Sequence, residues 1–266
     1  MEGCYRIHYS GTTIQTTVTS SANVVDRWIS TTIEIHRHRL SNLILGLDIE
    51  WRPYFQPQDR NPVAILQICE GHRCLIFQLL HADSIPISLH QFLAFPYFTF
   101  VGVGVQEDAE KLFQELQLRV VSTMDLAQLA ADRYGVEDFR RRGLKRLAME
   151  LIGKYMEKPK HVTLSQWDAK NLSDEQVEYA TIDAYVSFAL GLSLLKGFRR
   201  VSPVPYPLHQ HSCNVSSWRP PPQPSFFVIV YYHYVYFPIK CSFDVECRRS
   251  NSNEETVRFW LLEMGS

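Results

Sequence analysis

The sequence predicts an α/β domain with a buried sheet flanked by helices, and three observations carry that prediction. Apolar runs of strand length recur at residues 43–49, 63–69, 73–80 and 98–105; such unbroken runs suit strands covered on both faces. Segments of helical period alternate with or follow them, as an α/β sheet requires. A chain of 266 residues is also long enough to close one such core without staples.

In chain order, the first element is a hairpin. YRIHYSG and TIQTTVTS are rich in β-branched and aromatic residues around Ser10 and Gly11, the composition of two strands and a tight turn. Ser20 or Ser21 then stands where a helix N-cap belongs, because Val24, Val25, Trp28 and Ile29 recur at near-helical spacing before Ile33 and Ile35. The run at 43–49 reads as a central strand. Pro62 opens VAILQIC, and Glu70-Gly71-His72 separates it from RCLIFQLL, so two further strands joined by a tight turn are expected. PISLHQFLAF reads as a helix. Residues 98–105 read as another buried strand, leading through Gly102 and Gly104 into the helix of VQEDAEKLFQEL. From Met124 onward the pattern is helical, in DLAQLAADRYG, GLKRLAMELIG and LSDEQVEYATIDAYVSFALGLSLL. In the last of these, Ser173 and Gln176 have the spacing of a capping box.

After Gly197 the composition changes. Pro203, Pro205, Pro207, Pro220, Pro221, Pro222 and Pro224 break any regular element, which places a domain at 1–200 and an irregular, β-prone tail at 201–266. Within the tail, FFVIVYYHYVYFPI is apolar but too short to span a bilayer as a helix. Three readings of it stand: an added strand, an interaction segment, or a stretch that aggregates.

Formal net charge is −1, which excludes a chain that coats a polyanion over its whole surface; any such site is local. Cys4, Cys69, Cys74, Cys213, Cys241 and Cys247 form no CxxC pair and no zinc-ligand spacing, and a reducing compartment fits them best. Cys69 and Cys74 flank the expected turn and read as a reduced pair. The N-terminus lacks an apolar signal core, so a soluble, intracellular protein is expected.

The chemistry resides in acids. In LDIEW, residues two apart on a strand share a face, so Asp48 and Glu50 project together while Ile49 faces away. Two carboxylates on one face repel unless cations neutralise them. Asp108 follows Gly102 and Gly104 at an expected helix N-terminus, and in YATID, Tyr179 and Asp183 lie one helical turn apart. Each feature alone has a bland reading: a solvated strand end, a helix-dipole acid, and a chance pair on an amphipathic helix. Their order together is more specific.

DxE on a central strand, a later lone Asp and a late YxxxD resemble the DEDDy group of 3′→5′ exonucleases in the ribonuclease D superfamily, particularly the Werner-syndrome-type exonuclease domains of plants. LGLDIEWRP, NPVAILQIC, CLIFQLL, FVGVG, GLKRLA, KPKHV, SQW and LSDEQVEYATIDAYVSF carry the resemblance over about residues 40–195. It implies a ribonuclease-H-like fold with a mixed five-stranded sheet, in which the strand at 63–69 runs antiparallel to its neighbours. It also implies two magnesium or manganese ions. Asp48 would bridge both, Glu50 and Asp183 would complete the site of the ion holding the attacking water, Asp108 would help hold the other, and Tyr179 would orient the water. Oxygen-only ligands suit magnesium. With an ordinary pKa near 10, Tyr179 is a poor base at neutral pH and is assigned positioning. A nuclear location follows from the same resemblance, with the cytoplasm as the alternative.

Between residues 139 and 161, Arg140, Arg141, Arg142, Lys145, Arg146, Lys154, Lys158 and Lys160 outnumber Glu150 and Glu157. This is either a solvated helix face or a clamp for a nucleic-acid backbone, for which Lys145, Arg146, Lys158 and Lys160 are the candidates. Trp51 follows Glu50 and is either core or a platform for a terminal base. The same choice applies to Trp167, and His161 is either a substrate contact or, as a lone histidine after Lys160, a loop residue. Three functions are compatible with these residues: a DNA exonuclease releasing nucleoside monophosphates, an RNA 3′-trimming enzyme similar to ribonuclease D, and a silent adaptor binding nucleic acid or protein on the same fold. DNA ranks first through the Werner-type resemblance.

Overall fold

The computed structural model describes residues 2–38, 40–53 and 61–196, and the tail expected at 201–266 lies outside the described residues. The strand with the acids, β3 (Ile44–Trp51), has two faces. Leu45, Leu47 and Ile49 enter one core, whereas Ile44 packs into a second on the side shared by Gly46, Asp48 and Glu50. Antiparallel to it runs β4 (Val63–Glu70), every residue of which is buried. Gly71, at φ +58°, turns the chain into β5 (Arg73–Phe77), also antiparallel to β4. On the other side of β3, β6 (Thr99–Gly102) and then β7 (Thr123–Asp125) add in parallel.

These five strands are the expected mixed sheet, with the 63–69 strand antiparallel to both neighbours. Among the described residues, however, the sheet has seven strands, because β1 (Glu2–Tyr9) and β2 (Thr12–Thr19) extend it to the order β1-β2-β5-β4-β3-β6-β7. This N-terminal hairpin joins by pairing β2 parallel to β5. It thereby covers a strand edge that would otherwise expose unpaired backbone groups.

Helices cover both faces. On the Leu47 side, α1 (Ala22–Ile35), α2 (Ile87–Leu93) and α3 (Val105–Leu116) contribute Trp28, Phe92 and Leu112 to one core. On the Asp48 side, α4 (Leu126–Tyr134), α5 (Leu144–Ile152) and α7 (Asp174–Leu195) share a core with Val101 and Ile14. The single-turn α6 (Lys160–Thr163) packs Val162 beside Trp167 and Tyr179. Because α7 is apolar nearly all round, it can lie across the sheet as a buried element.

Local sequence signals fare unevenly. The capping box forms, with Ser173 Oγ accepting from the Gln176 amide at 3.2 Å and Gln176 Oε1 from the Ser173 amide at 2.9 Å. Ser21 is the N-cap of α1, but its side chain makes no capping bond; Asp83 Oδ1 accepts from the Ala22 amide at 2.8 Å instead. The region from Met124, read as helical, begins with β7, whose three residues are too few for alternation to show. The strand expected at 98–105 ends at Gly102, because Gly104 turns at φ +77° into α3. Cys69 and Cys74 are cross-strand partners, both free and buried, and burial pushes the Cys69 thiol well above its usual range.

Candidate active site

Two glycines set the distances on which the site depends. A Cβ on Gly46 would lie 1.9 Å from the Ala184 carbonyl oxygen and 2.7 Å from the Phe188 nitrogen, so α7 can rest on β3 only where that strand has no side chain. Asp183 precedes Ala184, and this close approach brings it onto the Asp48 side of the sheet. On Gly102, a Cβ would stand 2.7 Å from the Leu47 carbonyl oxygen. The chain then enters α3, whose first turn carries Asp108. Asp125 pins this turn: its Oδ2 accepts from the Gly104 amide at 2.7 Å, while its Oδ1 accepts from the Gln128 amide at 2.8 Å and caps α4.

As a result, carboxylate oxygens of Asp48, Glu50 and Asp183 all lie within 4.8 Å of one another. Asp108 stands outside this trio, but near enough for charge on Asp48 to act on it and for its own charge to act on Glu50. Tyr179, one turn before Asp183, is buried with its hydroxyl directed at the Asp183 carboxylate. Its ring packs 5.8 Å from that of Trp167.

The electrostatics follow from burial. Loss of water raises the Asp48 pKa to about 7, helped by the charge of Asp183, and raises Asp108 to about 8, helped by Asp48. Glu50 and Asp183 are raised for the same first reason. Burial and then the charges of Asp183, Glu50 and Asp48 push Tyr179 far above its usual value, so its hydroxyl keeps its proton at neutral pH. The compensating cation is Lys158, whose Nζ sits 2.6 Å from Asp183 Oδ2. Burial alone would lower its pKa; Asp183, Asp48 and Glu50 outweigh that and raise it.

A family profile described as 3′-5′ exonuclease matches residues 29–198. The chain belongs to that family. A 3′-5′ exonuclease of Arabidopsis thaliana is 34% identical to it over 148 residues, covering 55% of this chain and 50% of the relative. The mouse bifunctional 3′-5′ exonuclease/ATP-dependent helicase WRN is 27% identical over 148 residues, covering 55% of this chain and 10% of the relative. The Werner-type resemblance of the motifs thus holds, and this exonuclease domain spans half or less of those relatives. Among solved structures, Escherichia coli RNase D aligns with a TM-score of 0.54 at 18% identity, over 67% of this chain and 44% of that one. At that identity the likeness shows the fold.

The other residues singled out from the sequence of this exonuclease domain are placed as follows. Trp51 is half-buried against the Leu47-side core, with Lys111 Nζ 5.2 Å from its ring centroid; a β-bulge between Glu50 and Trp51 interrupts the ladder there. That position favours the core reading, as does the full burial of Trp167. The basic cluster is less free than its sequence suggests. Arg140 pairs with Asp132 and Glu137, Arg142 with Asp138 and Glu150, and Arg146 with Glu150. Lys145 and Lys160 are exposed, and His161 lies 3.3 Å from Glu175. Sequence reasoning overlooked Asp125, whose capping of two segments depends on a loop geometry that no local pattern announces.

The residues fit a divalent metal centre. The donor set is all oxygen, as hard cations prefer. Among the described residues, Asp48, Glu50 and Asp183 face Lys158 as their compensating cation, and Asp183 Oδ1 is buried with no hydrogen-bond partner, an atom whose desolvation a cation would offset.

Proposed function

We propose that this chain is a 3′→5′ exonuclease that hydrolyses the terminal phosphodiester of DNA with two divalent cations, magnesium or manganese, and releases nucleoside monophosphates one at a time. The convergence of Asp48, Glu50 and Asp183 beside Tyr179, in a chain of this family, carries the proposal.

Asp48 would contact both ions, Glu50 and Asp183 would complete the first site, and Asp108 would serve the second. Bound there, such a pair activates the attacking water and stabilises the leaving 3′-oxygen. The remaining roles belong to the chain itself. Because its hydroxyl stays protonated, Tyr179 orients the water by hydrogen bonding and does not act as a base. Lys158 neutralises Asp183, and with cations held by that carboxylate its ammonium would be free to meet substrate phosphate. The mixed sheet and α7 exclude water from one side of the acids, which strengthens their interaction with cations.

The ranking of DNA above RNA rests on the Werner-type resemblance. The deciding assay uses matched DNA and RNA duplexes with recessed 3′ ends, each with magnesium, manganese or chelator. Stepwise loss of nucleotides from the DNA, abolished by chelator and by Asp48→Ala, is expected. Faster loss from RNA would reverse the substrate assignment. Activity that survives Asp48→Ala would reveal a contaminant and favour the silent adaptor.

A further inference from the structure

Beside the acids, a groove of about 580 Å³ lies between the N-terminus of α5 and the segment that follows that helix, lined by Leu144, Lys145, Arg146, Met149, Tyr155 and Lys158. Its volume lies within the range of small-ligand pockets. Tyr155 is 58% exposed and Met149 54%. The backbone at Tyr155 is nonetheless fixed, since Tyr9 donates its hydroxyl proton to the Tyr155 carbonyl oxygen at 2.9 Å. The aromatic ring is therefore presented from an anchored backbone. Lys145 Nζ stands 5.0 Å from the centroid of that ring. At the inner end, Lys158 belongs both to the groove and, through its contact with Asp183, to the acid cluster.

We propose that this groove seats the nucleotide immediately upstream of the one being removed, its base stacked on Tyr155 and its phosphate between Lys145 and Lys158. The inference rests on the nuclease reading above and adds a subsite to it. An open apolar surface with an anchored aromatic ring suits a base of any identity, because every base has a π-face. The flanking ammonium groups complement phosphate. Direction follows from charge: of the two sides of the scissile bond, only the upstream side continues as a polyanion. The cation-lined side of the acid cluster therefore faces upstream. Seating the base on Tyr155 requires it to be unstacked, so the last two nucleotides of a recessed 3′ end must fray from the duplex to enter the site.

Binding of a nucleoside 5′-monophosphate and of single-stranded di- and trinucleotides, measured by calorimetry on the full chain in calcium with intact oligonucleotides verified by electrophoresis, tests the proposal. The unaltered protein should gain affinity from one nucleotide to two. Tyr155→Ala should remove that gain, weakening dinucleotide binding about tenfold while leaving the monophosphate unchanged, and Tyr155→Phe should restore it. An unchanged dinucleotide affinity in Tyr155→Ala would overturn the subsite, and equal weakening of the monophosphate would assign the groove to the terminal nucleotide instead. The two readings fail separately. An active nuclease indifferent to Tyr155→Ala loses only the subsite, whereas a protein that binds dinucleotides through Tyr155 but cleaves nothing with metal loses the nuclease reading.

Discussion

At the scale of single residues, the acids are linked through their protons. Asp48 and Asp108 are raised from the usual carboxylate value of 3.8 to about 7 and about 8. Without metal, the folded protein therefore holds protons that the unfolded chain has released between those values. Stability from these two groups is fully present below about pH 4 and is lost progressively as pH rises from there through about 7 and 8. Thermal unfolding in chelator should accordingly show the melting temperature falling over that window. Magnesium should raise it more at about pH 8 than at about pH 5.5, because cations bind the deprotonated acids. A melting temperature in chelator that climbs with pH would contradict the environment described for Asp48. Tyr179→Phe removes a hydroxyl and no ligand, so turnover should fall by about 10- to 100-fold with magnesium affinity retained; unchanged turnover would remove its role in orienting water. Which residues belong to the acid set was legible because strand alternation and the helical turn each fix a face. The state of Lys158 was not. Its contact with Asp183 spans 25 positions and depends on how the loop before α6 meets α7.

Among elements, the contact of β3 with α7 governs the geometry of the acids. Gly46→Ala would force a methyl group into the backbone at Ala184 and Phe188. It should cost more than about 3 kcal/mol, at the upper end of overpacking penalties. Gly71 turns at φ +58° with nothing within 4 Å of its missing Cβ, so Gly71→Ala should cost about 1 kcal/mol in backbone strain alone. Denaturant unfolding of both variants tests the distinction, and equal losses would mean that α7 is not held against β3 as described. Strand runs and the capping box were readable because their information is local. The attachment of the hairpin was not, since pairing of β2 with β5 joins segments separated by α1, β3 and β4. Capping of α1 by Asp83 likewise comes from 61 positions away, which is why Ser20 and Ser21 looked sufficient.

For the molecule as a whole, the proposed function requires a net charge of −1 to coexist with affinity for a polyanion, and the ion pairs indicate which cations are committed elsewhere. Arg140 and Arg142 are committed to Asp132, Glu137, Asp138 and Glu150, and Arg142 also covers the Phe139 ring at 4.6 Å. These arginines serve the packing between α4 and α5. Counting charges along the sequence identified the cluster but not this division, because Asp132 and Glu137 precede the basic stretch. Exposed Lys145 and Lys160 are better placed to exchange counterions with phosphate. For a single-stranded substrate, each phosphate contact contributes about −0.7 to the slope of log affinity against log salt. Replacing Lys145 and Lys160 with alanine should therefore flatten that slope by about 1.4, measured by fluorescence anisotropy across a salt series. Replacing Arg140 and Arg142 should leave the slope nearly unchanged while lowering the melting temperature, since it breaks pairs that hold the fold. If the arginine variant flattens the slope more than the lysine variant, the ion pairs open on binding and the arginines form the clamp.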